Sequence, residues 1–277
     1  MATSRDGIIA AQLEWARSAG LKPDGKGYLP SYQDNLFQPL SAAARAAFEK
    51  GSGSELVDKP STPAKMRALH SSSALAANAF DFWATHPNRP LLNALGLPDA
   101  HEAKIRFEDQ YPTGLPGNPP NLDVVLELTT GELVGIESKF TEWLSPKSPG
   151  AKPFKDKYFP EGQGVWERSG LASSQQLAGK IQAGEVQFRH LDAGQLLKHA
   201  LGLACRPGTR FRLFYLYFDC DNSAGELHRS EIGAFASAVG PELGFQAHSY
   251  QRLFSSLIRQ GAGSEAYRSY VSDRYLR

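Results

Sequence analysis

The sequence is poor in cysteine and has no hydrophobic run long enough to cross a membrane. Only Cys205 and Cys220 occur among 277 residues, so no disulfide framework is indicated and a reducing, cytoplasmic location is expected. No segment reaches the roughly 20 apolar residues of a membrane helix, and no secretory leader pattern begins the chain. A membrane-spanning protein and a disulfide-stabilised secreted scaffold are therefore not expected.

A large net charge of either sign is also lacking. The 30 basic and 29 acidic residues give a formal charge of +1. Such a small charge is unusual for a protein that binds a polyanion over much of its surface. Contact with nucleic acid, if there is any, would need local basic patches. The chain has no internal repeat and no low-complexity tract, so a repeat architecture is not indicated.

The hydrophobic content of 41% is enough for one sizeable core. One compact domain is expected, with residues 1–60 as an N-terminal helical extension and residues 61–277 as the core with its C-terminal helices. A flexible Gly/Ser break is predicted at 51–54. Apolar periodicity and capping residues predict helices over residues 8–19, 41–50, 62–83, 190–203, 228–239 and 250–260.

Two short apolar segments, 121–128 and 133–140, are predicted to form a β-hairpin. The residues between them, around Gly131, have the composition of a turn. Gly131 is expected at positive φ, because glycine adopts that conformation without steric penalty.

Charged residues interrupt these two apolar strands. Asp123 lies on the first strand, while Glu137 and Lys139 lie two residues apart on the second and therefore share a face. The hairpin places Asp123 opposite Glu137 or Ser138, with Cβ atoms about 5 Å apart in a directly opposed pair. Because an isolated buried charge is unfavourable, the three charged residues need one another, a metal ion, or both.

The two carboxylates could share one hard cation. Carboxylate and water oxygens suit Mg²⁺ or Mn²⁺, whereas the lack of His and Cys in the cluster argues against zinc. The alternative is a structural ion-pair cluster, but two acids and one base leave a negative charge that a cation would neutralise. A site for Mg²⁺ or Mn²⁺ is therefore predicted at Asp123 and Glu137, beside Lys139.

Asp123, followed after thirteen residues by Glu137-Ser138-Lys139, resembles the D…(D/E)xK signature of the PD-(D/E)XK nuclease superfamily. Leu122 stands where the literal motif has proline. The resemblance implies an α/β, restriction-endonuclease-like fold. Its αβββαβ core has a mixed central sheet flanked by helices, here with N- and C-terminal helical additions. Strands predicted at 103–108 and 211–219 complete this order. Most of the chain is also similar to a little-characterised group of bacterial restriction-endonuclease-like proteins.

The resemblance also implies roles for the motif residues. Asp123 and Glu137 would bind the metal ion, with the backbone carbonyl of Ser138 as a further ligand. Lys139 would position or activate the attacking water.

The segment 190–203 is predicted to be a helix with Asp192 as its N-cap, and it also resembles a part of the nuclease superfamily. Nucleases of this superfamily often have a glutamine here, in a QxxxY pattern, that supports the site or touches the nucleic acid. Gln195 stands in this place, but His199 replaces the tyrosine and is expected to be a surface or satisfied core group. Glu108, at the end of the strand predicted over 103–108, is an optional third carboxylate.

Basic residues suggest where nucleic acid could be bound. A Pro/Gly-rich segment, 145–164, follows the motif strand, and its lysines would overhang the site within reach of phosphates. These lysines are Lys147, Lys152, Lys155 and Lys157. Arginines on the C-terminal helices form another candidate patch, for which solvated surface charge is the alternative. They are Arg252, Arg259, Arg268, Arg274 and Arg277.

Together, the motif and the resemblance imply a metal-dependent, endonuclease-like phosphodiesterase. Its partner would be nucleic acid, with DNA favoured over RNA, and it could act as a homodimer. One alternative is a catalytically silent nucleic-acid-binding or defence-associated module of the same fold. Another is an unrelated metal-dependent hydrolase, or a ligand-binding α/β protein, that has this spacing by chance.

Overall fold

A five-stranded mixed sheet forms the centre of the molecule. The computed structural model describes residues 4–51 and 54–276. The sheet order follows the sequence, with antiparallel pairing among the first three strands and parallel pairing from the third to the fifth. The strands are β1 (Ala103–Gln110), β2 (Asn121–Leu128), β3 (Leu133–Lys139), β4 (Phe211–Tyr217) and β5 (Gln246–Ser249).

Helices cover both faces of this sheet, and their order confirms the predicted fold class. The αβββαβ core corresponds to α3, β1, β2, β3, α7 and β4. In the described ranges the α-helices are α1 (Arg5–Ser18), α2 (Ala42–Lys50), α3 (Ser72–Ala84), α4 (Arg89–Ala94), α5 (Val165–Arg168), α6 (Ala172–Ala183), α7 (Ala193–Ala204), α8 (Ser223–Leu243), α9 (Tyr250–Arg259) and α10 (Glu265–Tyr275).

Apolar side chains fill the space on both sides of the sheet. On one face, Val134 and Ile136 of β3 belong to a core shared with α3, α9 and α10. On the other face, Leu133 of β3 and Tyr215 of β4 belong to a core shared with α6, α7 and α8. Because successive residues of a strand alternate between faces, Glu137 is directed to the side of α7.

Two glycines fix the geometry of the β2–β3 hairpin. Gly131 has φ of +80°, as predicted for the turn, and its N–H donates to the carbonyl of Leu128 at 2.8 Å. A Cβ atom on Gly135 would lie 2.8 Å from a methyl group of Leu122 and 2.9 Å from one of Leu203. The missing side chain lets α7 approach β3 closely.

The predicted start of α7 is confirmed, whereas the start of α3 is not. The Asp192 side chain accepts the N–H of Gln195 at 2.9 Å, which caps the first turn of α7. The helix predicted over 62–83 is wrong in its first half, where only a 3₁₀ turn at Lys65–Arg67 forms. The Ser71 hydroxyl accepts an N–H of the first turn of α3, because serine favours helix caps over helix interiors.

The division into an extension at 1–60 and a core at 61–277 stays a prediction. Helix α1 of the proposed extension contacts α10 at the other end of the chain, and α2 packs on β1. Residues 52 and 53 of the predicted Gly/Ser break lie outside the described residues, as does Arg277. None of the helices that the structure describes is long and apolar enough to span a membrane.

Candidate active site

Asp123 lies where the pairing between β2 and β3 ends. The last paired residues at this end are Val124 and Ile136, which places Asp123 beside Glu137 as predicted. The backbone N–H of Ser138 donates to Asp123 Oδ2 at 2.7 Å, so a side-chain carboxylate accepts a bond that a strand backbone would otherwise take. This bond fixes the carboxylate of Asp123 against β3.

Glu137 is almost completely buried, with 1% of its side chain exposed. Its Oε1 lies 2.5 Å from Lys139 Nζ, and its Oε2 lies 2.8 Å from His199 Nε2. Despite these close approaches, neither carboxylate oxygen has a hydrogen bond of good geometry within the described residues. Buried polar atoms are normally hydrogen-bonded, so the bonding capacity of Glu137 is incomplete.

The two carboxylates have opposite pKa shifts. Burial and the nearby charge of Glu137 raise the pKa of Asp123 well above its usual range. Burial would also raise the pKa of Glu137, but the charges of Lys139 and His199 and their contacts with it lower this pKa to about 2. Burial opposes the charge of Lys139, yet attraction to Glu137 and Asp123 raises its pKa. Asp123 is therefore the carboxylate that lacks sufficient positive charge around it.

Glu108 lies across from Asp123 on β1 and has an unusual backbone conformation. Its φ is +50°, a region that non-glycine residues rarely adopt. Its carboxylate accepts a hydrogen bond from the side-chain amide of Asn121 at 3.2 Å. Burial raises the pKa of Glu108, and the charges of Glu55 and Glu137 add to this effect. The strained backbone holds a third carboxylate at the same edge of the site.

A large cleft of about 1220 Å³ opens over Asp123. Asp123 and Glu108 line it from the sheet, and Gln195 and His199 line it from α7. Gln195 and His199 are four residues apart on a helix and so share a face. The structure therefore brings the predicted carboxylates and the predicted glutamine to one cavity, with Glu137 buried beside it.

The predicted lysine loop forms one wall of the cleft, but only in part. Lys152 lines the cavity, as does Lys147, which is ion-paired to Asp192 at 2.6 Å. Lys155 is exposed outside the lining. The ammonium of Lys157 is also outside it and donates to the carbonyl of Pro116.

Lys198 contributes to this wall and was not singled out from the sequence. It follows Gln195 by three residues on α7, and its ammonium donates to the carbonyl of Pro153 at 2.7 Å. Burial lowers the pKa of Lys198, and repulsion from Lys147 and other lysines of the loop adds to the effect. An anion in the cleft would relieve this repulsion.

Two expectations for single residues are wrong. The cluster does contain a histidine, because His199 is 1% exposed and contacts Glu137. Arg274 is buried rather than solvated at the surface. The one sequence signal for His199 was its spacing of four residues from Gln195, which puts both side chains on the same face of the helix.

Glu55 is another cleft residue that sequence reasoning missed. It is 5% exposed, lines the cavity and accepts a hydrogen bond from the Ser73 hydroxyl at 2.5 Å. Its segment shows no periodicity that would predict burial.

Within residues 4–51 and 54–276, no three His, Cys, Asp or Glu side chains are grouped as metal ligands.

A mixed sheet that carries Asp123 on its second strand and Glu137-Ser138-Lys139 on its third is the architecture of restriction-endonuclease-like proteins. Residues 6–276 match the model of a family described as "restriction endonuclease associating with ARP", and the chain belongs to this family. No curated protein and no solved structure gives a significant match to the chain. Membership confirms the resemblance stated above and implies a nuclease-like function with a nucleic-acid partner.

Proposed function

We propose that this protein is a metal-dependent nuclease that hydrolyses phosphodiester bonds in DNA. The observation that carries the proposal is the buried carboxylate of Glu137, whose oxygens have no well-formed hydrogen bond among the described residues, beside Asp123 and Lys139. Asp123 lines a cleft that has cationic side chains on its wall, and Glu137 is buried beside that cleft. A purely structural ion-pair cluster would have its buried oxygens fully bonded.

The donor atoms fit a hard divalent cation. Asp123 and Glu137 offer carboxylate oxygens, and the N–H of Ser138 points to Asp123, so its carbonyl lies on the same side of an extended strand. Glu108 is the optional third acid. Carbonyl, carboxylate and water oxygens are the ligands of Mg²⁺ and Mn²⁺. Water would complete the coordination of the ion beside these acids.

The bound cation would neutralise charge that builds on the phosphate in the transition state and would polarise the attacking water. The side chains of the protein supply the remaining functions. Lys139, 19% exposed, would hold the attacking water or stabilise the developing negative charge as a point charge. Gln195 would orient that water or contact a phosphate from the cleft wall.

Contacts to the substrate would come from the lysines of the cleft wall. Lys152 lines the cleft and would meet a phosphate inside it, whereas Lys155 and Lys157 would meet the nucleic acid only beyond its rim. Lys147 and Lys198 add positive charge inside the cleft. The family description includes association with ARP, and we propose this association for the present chain; homodimerisation stays a prediction.

A catalytically silent DNA-binding module is the second candidate. The 2.5 Å contact between Lys139 and Glu137 favours it, because this contact already neutralises one of the two carboxylates. Such a protein would bind DNA at low salt and leave it intact in every divalent cation.

The test compares the wild type with Asp123→Asn on plasmid, linear and single-stranded DNA and on RNA, in Mg²⁺, Mn²⁺ or EDTA. The wild type should cleave only with metal, and Asp123→Asn should be slower by at least about 100-fold. Glu127→Gln is the matched control, since Glu127 lies on the same strand but is ion-paired to Arg106 outside the cleft. Equal cleavage by Asp123→Asn and the wild type would refute the assignment. Binding without cleavage would support the silent module.

A further inference from the structure

His199 is a buried imidazole with one identifiable polar contact. Its side chain is 1% exposed, although the ring belongs to the lining of the cleft. Nε2 lies 2.8 Å from Glu137 Oε2. Nδ1 has no hydrogen-bond partner among the described residues. The contact with Glu137 is therefore the polar interaction that accounts for placing an imidazole here.

The chemistry of the two groups determines which one can be the donor. An ionised carboxylate only accepts hydrogen bonds, so in a hydrogen bond between these two atoms Nε2 would carry the hydrogen and donate it to Oε2. The contact lacks good hydrogen-bond geometry at present. Bonds of this kind are often poorly aligned before an active site is complete and tighten afterwards.

The contacts of Glu137 come from two different elements. Lys139 of β3 approaches Oε1, and His199 of α7 approaches Oε2. Lys139 belongs to the same strand as Glu137 and has a long flexible stem, so it would follow the carboxylate through several orientations. His199 is held by a buried helix that is capped by Asp192 and packed on Gly135. The imidazole is therefore the rigid contact that can fix the plane of the carboxylate.

We infer that His199 is a positioning residue that holds the Glu137 carboxylate in the orientation needed to share a divalent cation with Asp123. This inference rests on the proposed function, because it assigns the purpose of the orientation to metal binding. The interaction is the carboxylate counterpart of the outer contacts that orient metal ligands, whose loss typically weakens metal affinity or activity about 10–100-fold.

The experiment is a Mn²⁺ titration of the full chain, followed by electron paramagnetic resonance, for the wild type, His199→Gln and His199→Asn. The amide nitrogen of glutamine can reach the place of Nε2, whereas that of asparagine is too short to reach Glu137. His199→Asn should bind Mn²⁺ about tenfold more weakly than the wild type, and His199→Gln within about threefold. His248→Asn is the control, because His248 is also buried but lies on β5.

A cleavage assay adds a readout that a merely structural role would not change. The Mn²⁺ concentration for half-maximal rate should rise for His199→Asn, while the rate at saturating Mn²⁺ should recover towards that of the wild type. Equal Mn²⁺ affinity in the wild type and His199→Asn would overturn the positioning role, and so would an equal loss in both His199 variants. If the wild type itself binds no Mn²⁺, the proposed metal site fails, and the role of His199 fails with it.

Discussion

Two buried charged groups in this protein are bonded in opposite ways. Arg274 on α10 is 4% exposed, and Glu137 on β3 is 1% exposed. The guanidinium of Arg274 donates to Gln12 Oε1 at 3.0 Å and to the carbonyl of Asn35 at 2.8 Å. It also donates to the carbonyl of Leu69 at 3.2 Å. The carboxylate oxygens of Glu137 have close neighbours but no well-formed hydrogen bond in the described chain.

This difference separates a structural charge from the proposed metal ligand. The acceptors of Arg274 come from distant parts of the sequence, and its guanidinium also lies 4.2 Å from the ring centre of Trp15 on α1. Arg274 thus joins the two ends of the chain. Glu137 has one oxygen directed to Lys139 and one to His199, next to a second carboxylate and an open cleft. The bonds of Arg274 hold distant segments together, whereas the incomplete bonding of Glu137 is what the proposed metal ion would satisfy.

The largest effect on stability is expected for Arg274→Met. Methionine retains an apolar stem but leaves the carbonyl groups of Asn35 and Leu69 and the amide of Gln12 without this donor. Unsatisfied buried acceptors are unfavourable, so the free energy of unfolding should fall by about 3 kcal/mol. Urea denaturation followed by circular dichroism would measure the change.

Arg259→Met is the matched control for that experiment. Arg259 lies at the end of the neighbouring helix α9 and is exposed, so its loss should change stability by no more than about 0.5 kcal/mol. A similar small change in Arg274→Met would show that the bonds of Arg274 contribute little, and the contrast with Glu137 would lose its basis.

His228 on α8 is an intermediate case, with one bonded and one unbonded nitrogen. Its Nε2 lies 3.0 Å from the Tyr215 hydroxyl, while Nδ1 has no partner in the described residues. The ring is fully buried and stacks on Trp143. Burial lowers the pKa of His228 from 6.5 to about 3, with smaller contributions from His190 and Arg229.

Stability should therefore decrease in mild acid. Below about pH 6.5 the unfolded chain binds a proton at His228 that the folded chain does not bind until about pH 3, so the free energy of unfolding falls as pH decreases through this range. One histidine contributes a slope of at most about 1.4 kcal/mol per pH unit. Urea denaturation at pH 7, 6 and 5 should show a shallower slope for His228→Gln. Equal slopes would mean that His228 is protonated in the folded protein.

The hairpin and its charged residues could be predicted from the sequence because the signals are local. Two apolar segments, one turn glycine and three charges fall within about twenty residues, and strand alternation then determines which side chains share a face. Asp123 and Glu137 meet for this reason alone. The capping of α7 by Asp192 is also local, and it places Gln195 at the first turn of the helix.

The residues that escaped prediction are positioned by contacts that are distant in the sequence. His199 meets Glu137 only because α7 packs across β3, and sequence spacing does not show which face of the helix meets which strand residue. Arg274 is buried because Gln12 and Asn35 reach it from the other end of the chain. A single charged residue on an amphipathic helix is otherwise best interpreted as solvated.

The smallest expected effect is a gain in stability on substitution of Asp123. It tests most directly whether the charged cluster around Glu137 differs from the structural charge of Arg274. Asp123→Asn removes a carboxylate whose ionisation is opposed by burial and by Glu137, yet its amide oxygen can still accept the N–H of Ser138. The free energy of unfolding in EDTA should therefore rise by about 1 kcal/mol. Glu127→Gln, a change of the same chemistry at a partly exposed, ion-paired residue, should alter stability by less than about 0.5 kcal/mol.

Addition of Mg²⁺ should reverse this order. The wild type gains stability by mass action when the ion binds the folded state, by about 2.7 kcal/mol at 100 times the dissociation constant, whereas Asp123→Asn should gain much less. Asp123 would then decrease stability without the ion and increase it with the ion. If Asp123→Asn is instead less stable than the wild type in EDTA, the carboxylate is already satisfied by Ser138 and Lys139. The cluster would then resemble Arg274 in being structural rather than a site.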